Sequence, residues 1–158
     1  MQGAFKITYQ IGSIDPNVLN RESAPVVIQL SAITGRATVS SGRQSVEIGT
    51  CGLLRFSQTL VYLCTMPLLY RTEESASAIG HGFDMWSSLE GDVIRLSFAR
   101  MSNDPAVNFD IPPLQALPEV GRFHGELLRK FYNAVGDQRQ YLKILQLFPL
   151  SSAKLIPQ

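Results

Sequence analysis

Two histidines, His81 and His124, and two cysteines, Cys51 and Cys64, are the side chains here best suited to nucleophilic or acid–base chemistry. His81 stands between two glycines in AIGHGFDMW, residues 78–86, with Asp84 and the single tryptophan, Trp86, close behind. The glycines free the backbone, so the imidazole could face solvent, and Asp84 is near enough to orient it. A general base needs such a partner and a pKa near neutrality. A base carried on a glycine-flanked loop is poorly positioned, however, and catalysis depends on positioning. The alternative is that the glycines bend the chain into a strand starting at Phe83. Phe83 and Met85 then share one face, and Asp84 and Trp86 the other. This second reading is favoured.

Cys51 would have an activated thiol if it sat exposed at a helix N-terminus, where the dipole favours thiolate. Paired with His81 or His124 it would make a cysteine–histidine site for a small hydrolase or transferase. Cys64 falls on an apolar stripe and reads as a core residue. GTCGLL, residues 49–54, sets glycines before a helix but lacks the lysine and spacing of a phosphate loop. No G-x-S-x-G nucleophile elbow, H-E-x-x-H pair or calcium loop occurs. No metal ligand set and no cofactor is expected. His124, beside Phe123 on a long helix, reads as a boundary residue with one ring nitrogen satisfied.

The elements that would position these groups follow from periodicity. Phe5, Ile7, Tyr9 and Ile11 alternate with Lys6, Thr8 and Gln10, the pattern of a half-buried strand. GSIDPNVLNRESAP reads as a loop and VVIQLSAI as a second strand. TGRATVSSGRQSVEIG reads as two short strands turning at Gly35 and at Ser41-Gly42. From Thr50, a plausible N-cap by its hydroxyl, the period changes. Leu53, Phe56, Leu60 and Leu63 form a helical stripe widened by Leu54, Val61 and Cys64, with Arg55, Ser57, Gln58 and Thr59 opposite. Pro67 should end that helix. LLYRTEE then reads as a strand, FDMWSSLEGDVIRLSFARM as a hairpin turning at Glu90-Gly91, and VNFDI as a last strand.

The final third reads as helical. Pro118 fits a first helical turn, and Val120, Phe123, Leu127 and Phe131 make the stripe, widened by Leu128 and Val135. Gly136 suits a C-cap, and Asp137 can cap a short last helix through Tyr141, Leu142, Ile144, Leu145 and Phe148. Strands outnumber helices and follow one another directly. The expected fold is α+β: one antiparallel or mixed sheet of about six to eight strands, with one central and two C-terminal helices on one face.

Composition narrows the function classes. The 158 residues, 45% hydrophobic and 17% charged, fit a single globular domain spanning 1–158. A formal charge of +1 gives no electrostatic reason to expect nucleic acid. The longest apolar runs are broken by polar residues and fall short of the roughly 20 needed to span a membrane. The start reads as a strand, not as a signal peptide, so the expected compartment is the cytoplasm. A helix between Cys51 and Cys64 would hold them roughly 20 Å apart, too far for a disulfide.

With Phe83 and Met85 inward, Trp86 lies on a polar sheet face with Asp84 and Ser88. Tryptophan there suits a contact with another protein, since it is enriched at binding hot spots. Glu73 and Glu74, on an adjacent strand end, and His81 complete the expected contact surface, within residues 71–92. The sheet–helix–sheet–helix order, the entry GLLRF into the first helix, the hairpin LEGDVIRLSF and the amphipathic C-terminal helix together resemble small bacterial immunity proteins. Those neutralise a toxin delivered by contact-dependent or type VI systems. Many of them are acidic, and this chain departs from that. The resemblance implies binding to a toxin domain without catalysis. Three functions therefore stand as expectations: a non-catalytic binding protein, an enzyme using His81 or Cys51, and a subunit that pairs its sheet edge with a copy of itself, such as a homodimer.

Overall fold

The computed structural model describes residues 3–21, 24–71, 73–78, 82–100 and 105–136. Their order is β1 (Lys6–Ile14), α1 (Val18–Arg21), α2 (Pro25–Ser31), β2 (Ile33–Ser41), β3 (Gln44–Gly52) and α3 (Leu53–Tyr70), followed by β4 (Glu74–Ala78), β5 (Phe83–Glu90), β6 (Val93–Arg100), β7 (Val107–Ile111) and α4 (Pro113–Val135). The α+β class holds and every pairing is antiparallel. The single sheet does not. The strands form two sheets, β1-β2-β3 and β4-β5-β6-β7. The expected last helix lies outside the described residues.

Helix α3 contacts strands of both sheets as well as α2 and α4. Its stripe of Leu53, Phe56, Leu60 and Leu63 is fully buried, but so is Ser57, and Thr59 nearly so, where a polar face was expected. A helix packed on several sides has no solvent face for its small polar residues. They turn back to the backbone instead: Thr59 donates to the Arg55 carbonyl and Thr65 to that of Val61, both at 2.8 Å. Under the sheets, Phe98, Phe109 and Phe5 meet edge to face, with centroids 5.7 and 6.5 Å apart. This chain of rings joins the second sheet to the first.

Several boundaries differ from expectation, each for a local reason. Thr50 is not the cap; Gly52 is, and a Cβ there would lie 2.6 Å from the Leu30 backbone of α2. VVIQLSAI begins as helix α2. Pro25 at its start favours a helix, and packing on α3 overrides the strand preference of its β-branched residues. Gly35 makes no turn. It lies within β2, and a Cβ would sit 2.2 Å from the Gln10 carbonyl oxygen. The two-residue turns are Gly42-Arg43 and Gly91-Asp92, with φ of 61° at each glycine.

The prolines correct the helices most. Pro67 lies inside α3, which runs on through Leu68 and Leu69 to Tyr70 and ends at Arg71 in a left-handed conformation. LLY is thus helix, not strand. Proline at 67 cannot donate to the carbonyl of Leu63. That carbonyl accepts instead from the Ser87 hydroxyl of β5, at 2.5 Å. Pro118 is likewise interior, since α4 begins at Pro113. The carbonyl it leaves unserved belongs to Leu114, a residue that is 81% exposed.

Helix α4 lies along the free edge of β1. Gln115 and Glu119 accept from the backbone N–H groups of Phe5 and Ile7, at 3.5 and 2.7 Å. Arg122 donates to the Ile7 carbonyl at 2.7 Å and makes two bonds to Glu119. Glu126 accepts from the Tyr9 hydroxyl at 2.8 Å. Side chains from one helix thus occupy the place of a neighbouring strand and close the edge.

Replacing Ser87 by alanine should destabilise the fold by about 1–3 kcal/mol, because the Leu63 carbonyl then stays buried and unpaired. Adding Pro67→Ala restores a backbone donor for it. Urea denaturation of both single variants and the double variant should show that Ser87→Ala costs much less in the Pro67→Ala background. Equal cost in both backgrounds would disprove the coupling.

Candidate functional site

Among the described residues, the side chains suited to catalysis, Cys51, Cys64 and His124, are withdrawn from solvent. Cys51 is next to last in β3, just before the helix cap Gly52, and is 5% exposed. Burial pushes its thiol up to about 12, and that of Cys64 likewise. Neither supplies a thiolate near neutral pH. Both cysteines are free. His81 lies outside the described residues.

His124 is buried in the seam between α3 and α4, not at a boundary. Its Nδ1 lies 2.7 Å from the Ser57 hydroxyl, a serine–histidine pair that spacing in the sequence did not reveal. The Ser57 hydroxyl can also donate to the Leu54 carbonyl at 3.0 Å. The bond between Ser57 and His124 is compatible with either ring tautomer, and in both it pins two helices together in a buried seam. Beside it, Phe56 and Phe123 meet edge to face with centroids 6.0 Å apart. Burial lowers the His124 pKa to about 4, so the ring is neutral at pH 7.

The α4 network around Arg122 is also structural. Burial works against ionisation of Glu119, but Arg122 and the Ile7 N–H outweigh it and hold the carboxyl below its usual range. Burial, with the bond to Glu126, pushes the Tyr9 phenol up to about 12. Among the described residues, no group of three or more histidine, cysteine or carboxylate side chains is placed to hold a metal ion. No described helix is long and apolar enough to cross a membrane.

The second sheet carries the surface expected around Trp86. Phe83 and Met85 are buried on its inner face, at 8% and 1% exposure. Asp84 and Trp86 are half-buried on its outer face. Register lines Trp86 up with Ser75 on β4 and Ser97 on β6, and Ser97 with Asn108 on β7. Ser97 is buried in this row and donates to Asn108 at 2.7 Å. The next row sets Ser88, Arg95 and Asp110 side by side. Arg95 grips Asp110 with two bonds, at 2.8 and 3.2 Å, and this holds the carboxyl below its usual range.

The two glutamates do not join this face. Glu74 is registered with Ser87, on the helix side, and accepts from the Tyr62 hydroxyl of α3 at 2.9 Å. Glu73 is exposed between α3 and β4. Of the five expected contact residues, the outer face brings together Asp84 and Trp86. Sequence reasoning missed Arg95, Asn108 and Asp110, whose places depend on strand register. The alternation of polar residues in VIRLSF and VNFDI is the signal that could have found them.

The chain matches no protein-family model, no curated protein and no solved structure.

The buried histidine sets a pH dependence. Its folded pKa of about 4 lies below the unfolded value of 6.5, so the unfolded chain takes up the proton first as pH falls. The stability is present above 6.5 and is lost between 6.5 and 4, in total about 3 kcal/mol. Most of that loss precedes protonation of the paired carboxylates. Urea midpoints should therefore drop from pH 7 to pH 5 in the native protein and change little in His124→Gln. A slope kept in His124→Gln would assign it to another group.

Proposed function

We propose that this protein is a non-catalytic binding domain and that the outer face of β5-β6-β7 around Trp86 contacts another protein. The observation that carries this reading is the placement of Trp86. A large aromatic ring stands half-buried on a polar sheet face, and its indole N–H has no acceptor among the described residues. Such a ring gives a partner apolar area and one directional donor. Asp84, Ser88 and the Arg95–Asp110 pair form a polar surround, the usual rim of a contact patch. The burial of Cys51 and His124 weighs against the enzymatic alternative for those residues.

By resemblance to immunity proteins, the partner is a toxin domain that the protein occludes in the cytoplasm. The sealed edge of β1 argues against self-assembly through that strand. The interface would then use a face and not this edge.

A photo-reactive phenylalanine at Ser88 should form adducts with a defined protein in the cell of origin, while the same group at Asn133 on α4 should not. Trp86→Ala should weaken binding of that protein by roughly 2 kcal/mol, about thirtyfold. Circular dichroism would check that its fold is unchanged. An affinity indifferent to Trp86→Ala would overturn this reading.

A further inference from the structure

The outer faces of the two sheets carry opposite charge. On the second sheet, Asp84, Glu90 and Asp110 outnumber Arg95, and Asp92 adds a carboxylate in the β5–β6 turn. On the first, Lys6 and Arg36 outnumber Glu47, and Arg43 adds a cation in the β2–β3 turn. The faces meet along a seam, where a cavity of about 510 Å³ is lined by Arg43 and Gln44 on one side and Asn108 and Asp110 on the other.

The first-sheet face also holds a depression. Register sets Gln10 beside Arg36, and Thr8 beside Thr38 and Glu47. An irregularity in the β2–β3 pairing leaves Gly49 facing this group, where a Cβ would touch nothing within 4 Å. The missing side chain opens a cavity of about 360 Å³ walled by Thr8, Gln10, Arg36, Thr38 and Glu47. Among the described residues, Arg36 has no carboxylate within ion-pair distance. A cation without a carboxylate at the rim of a hole suits an aromatic ring, by cation–π attraction to its face.

One surface therefore carries a half-buried indole beside carboxylates and, across the seam on the face richer in cations, a depression with Arg36 in its wall. A twofold axis lying in the surface along that seam would set each half against the other half of a second copy. We propose that this protein self-associates in that way, Trp86 of each copy seating in the depression at Gly49 of the other, against Arg36. The inference rests on the reading of Trp86 as a protein contact, and it names what covers that surface in the isolated protein. Any other partner must displace the second copy. Such a contact is isologous and closes at two chains. Seven strands about 4.8 Å apart and about 20 Å long offer roughly 700 Å² per copy, close to the roughly 800 Å² of a standard interface.

Sedimentation equilibrium of the full chain, from about 1 µM to about 1 mM, tests this. The expected mass is two chains at the upper end, with dissociation promoted by raising salt from about 50 to about 500 mM. A Cβ at position 49 meets no atom of its own chain within 4 Å, so Gly49→Leu should keep the fold, fill the depression and weaken dimerisation at least about tenfold. Trp86→Ala and Arg36→Glu should do the same. A one-chain mass throughout, or a two-chain mass unmoved by Gly49→Leu, overturns the dimer. If the chain is monomeric but Ser88 still cross-links to another protein in a Trp86-dependent way, the dimer falls and the binding reading stands. If Trp86→Ala alters neither self-association nor binding to another protein, both fall.

Discussion

An open sheet edge is a liability, and the edge of β1 is closed by side chains from one helix. Glu119 accepts the Ile7 N–H while Arg122 donates to the Ile7 carbonyl, so both sides of a single residue's backbone are held by groups one helical turn apart. This pairing fixes how α4 lies on the first sheet. With Gln115 at Phe5 and Glu126 at Tyr9, the helix advances along β1 in the strand's own direction. That orientation turns Val120, Phe123, Leu127 and Phe131 into the core and brings His124 to Ser57. An amphipathic stripe alone does not choose a direction. The edge bonds do.

Charge is the property that composition conceals. A formal +1 over 158 residues describes a nearly neutral molecule. Strand register distributes those charges unevenly, with an excess of cations on the outer face of β1-β2-β3 and an excess of carboxylates on that of β5-β6-β7. Such a surface orients an approaching partner by its dipole even where the net charge attracts nothing.

Where one interaction range dominates, the sequence is readable. The alternation from Phe5 to Ile11, the β5–β6 hairpin and the stripe from Val120 to Phe131 are local patterns, and each lies where its period puts it. The opposite faces of Met85 and Trp86 follow from the same period of two. Residues 26–31 are harder, because a β-branched run and a proline start signal conflict and packing against α3 decides. The division into two sheets is not a local property at all. Neither is the buried pair of Ser57 and His124, which are 67 residues apart, nor the depression at Gly49, which Thr8, Gln10 and Arg36 flank.

Pro67 shows how far one missing hydrogen atom reaches. It leaves the Leu63 carbonyl without its ordinary helical partner, and the hydroxyl that replaces it comes from a strand 24 residues away. The last turns of α3 therefore cannot complete their bonding alone. The strand that displays Trp86 on one face supplies, from its other face, the bond that completes the central helix.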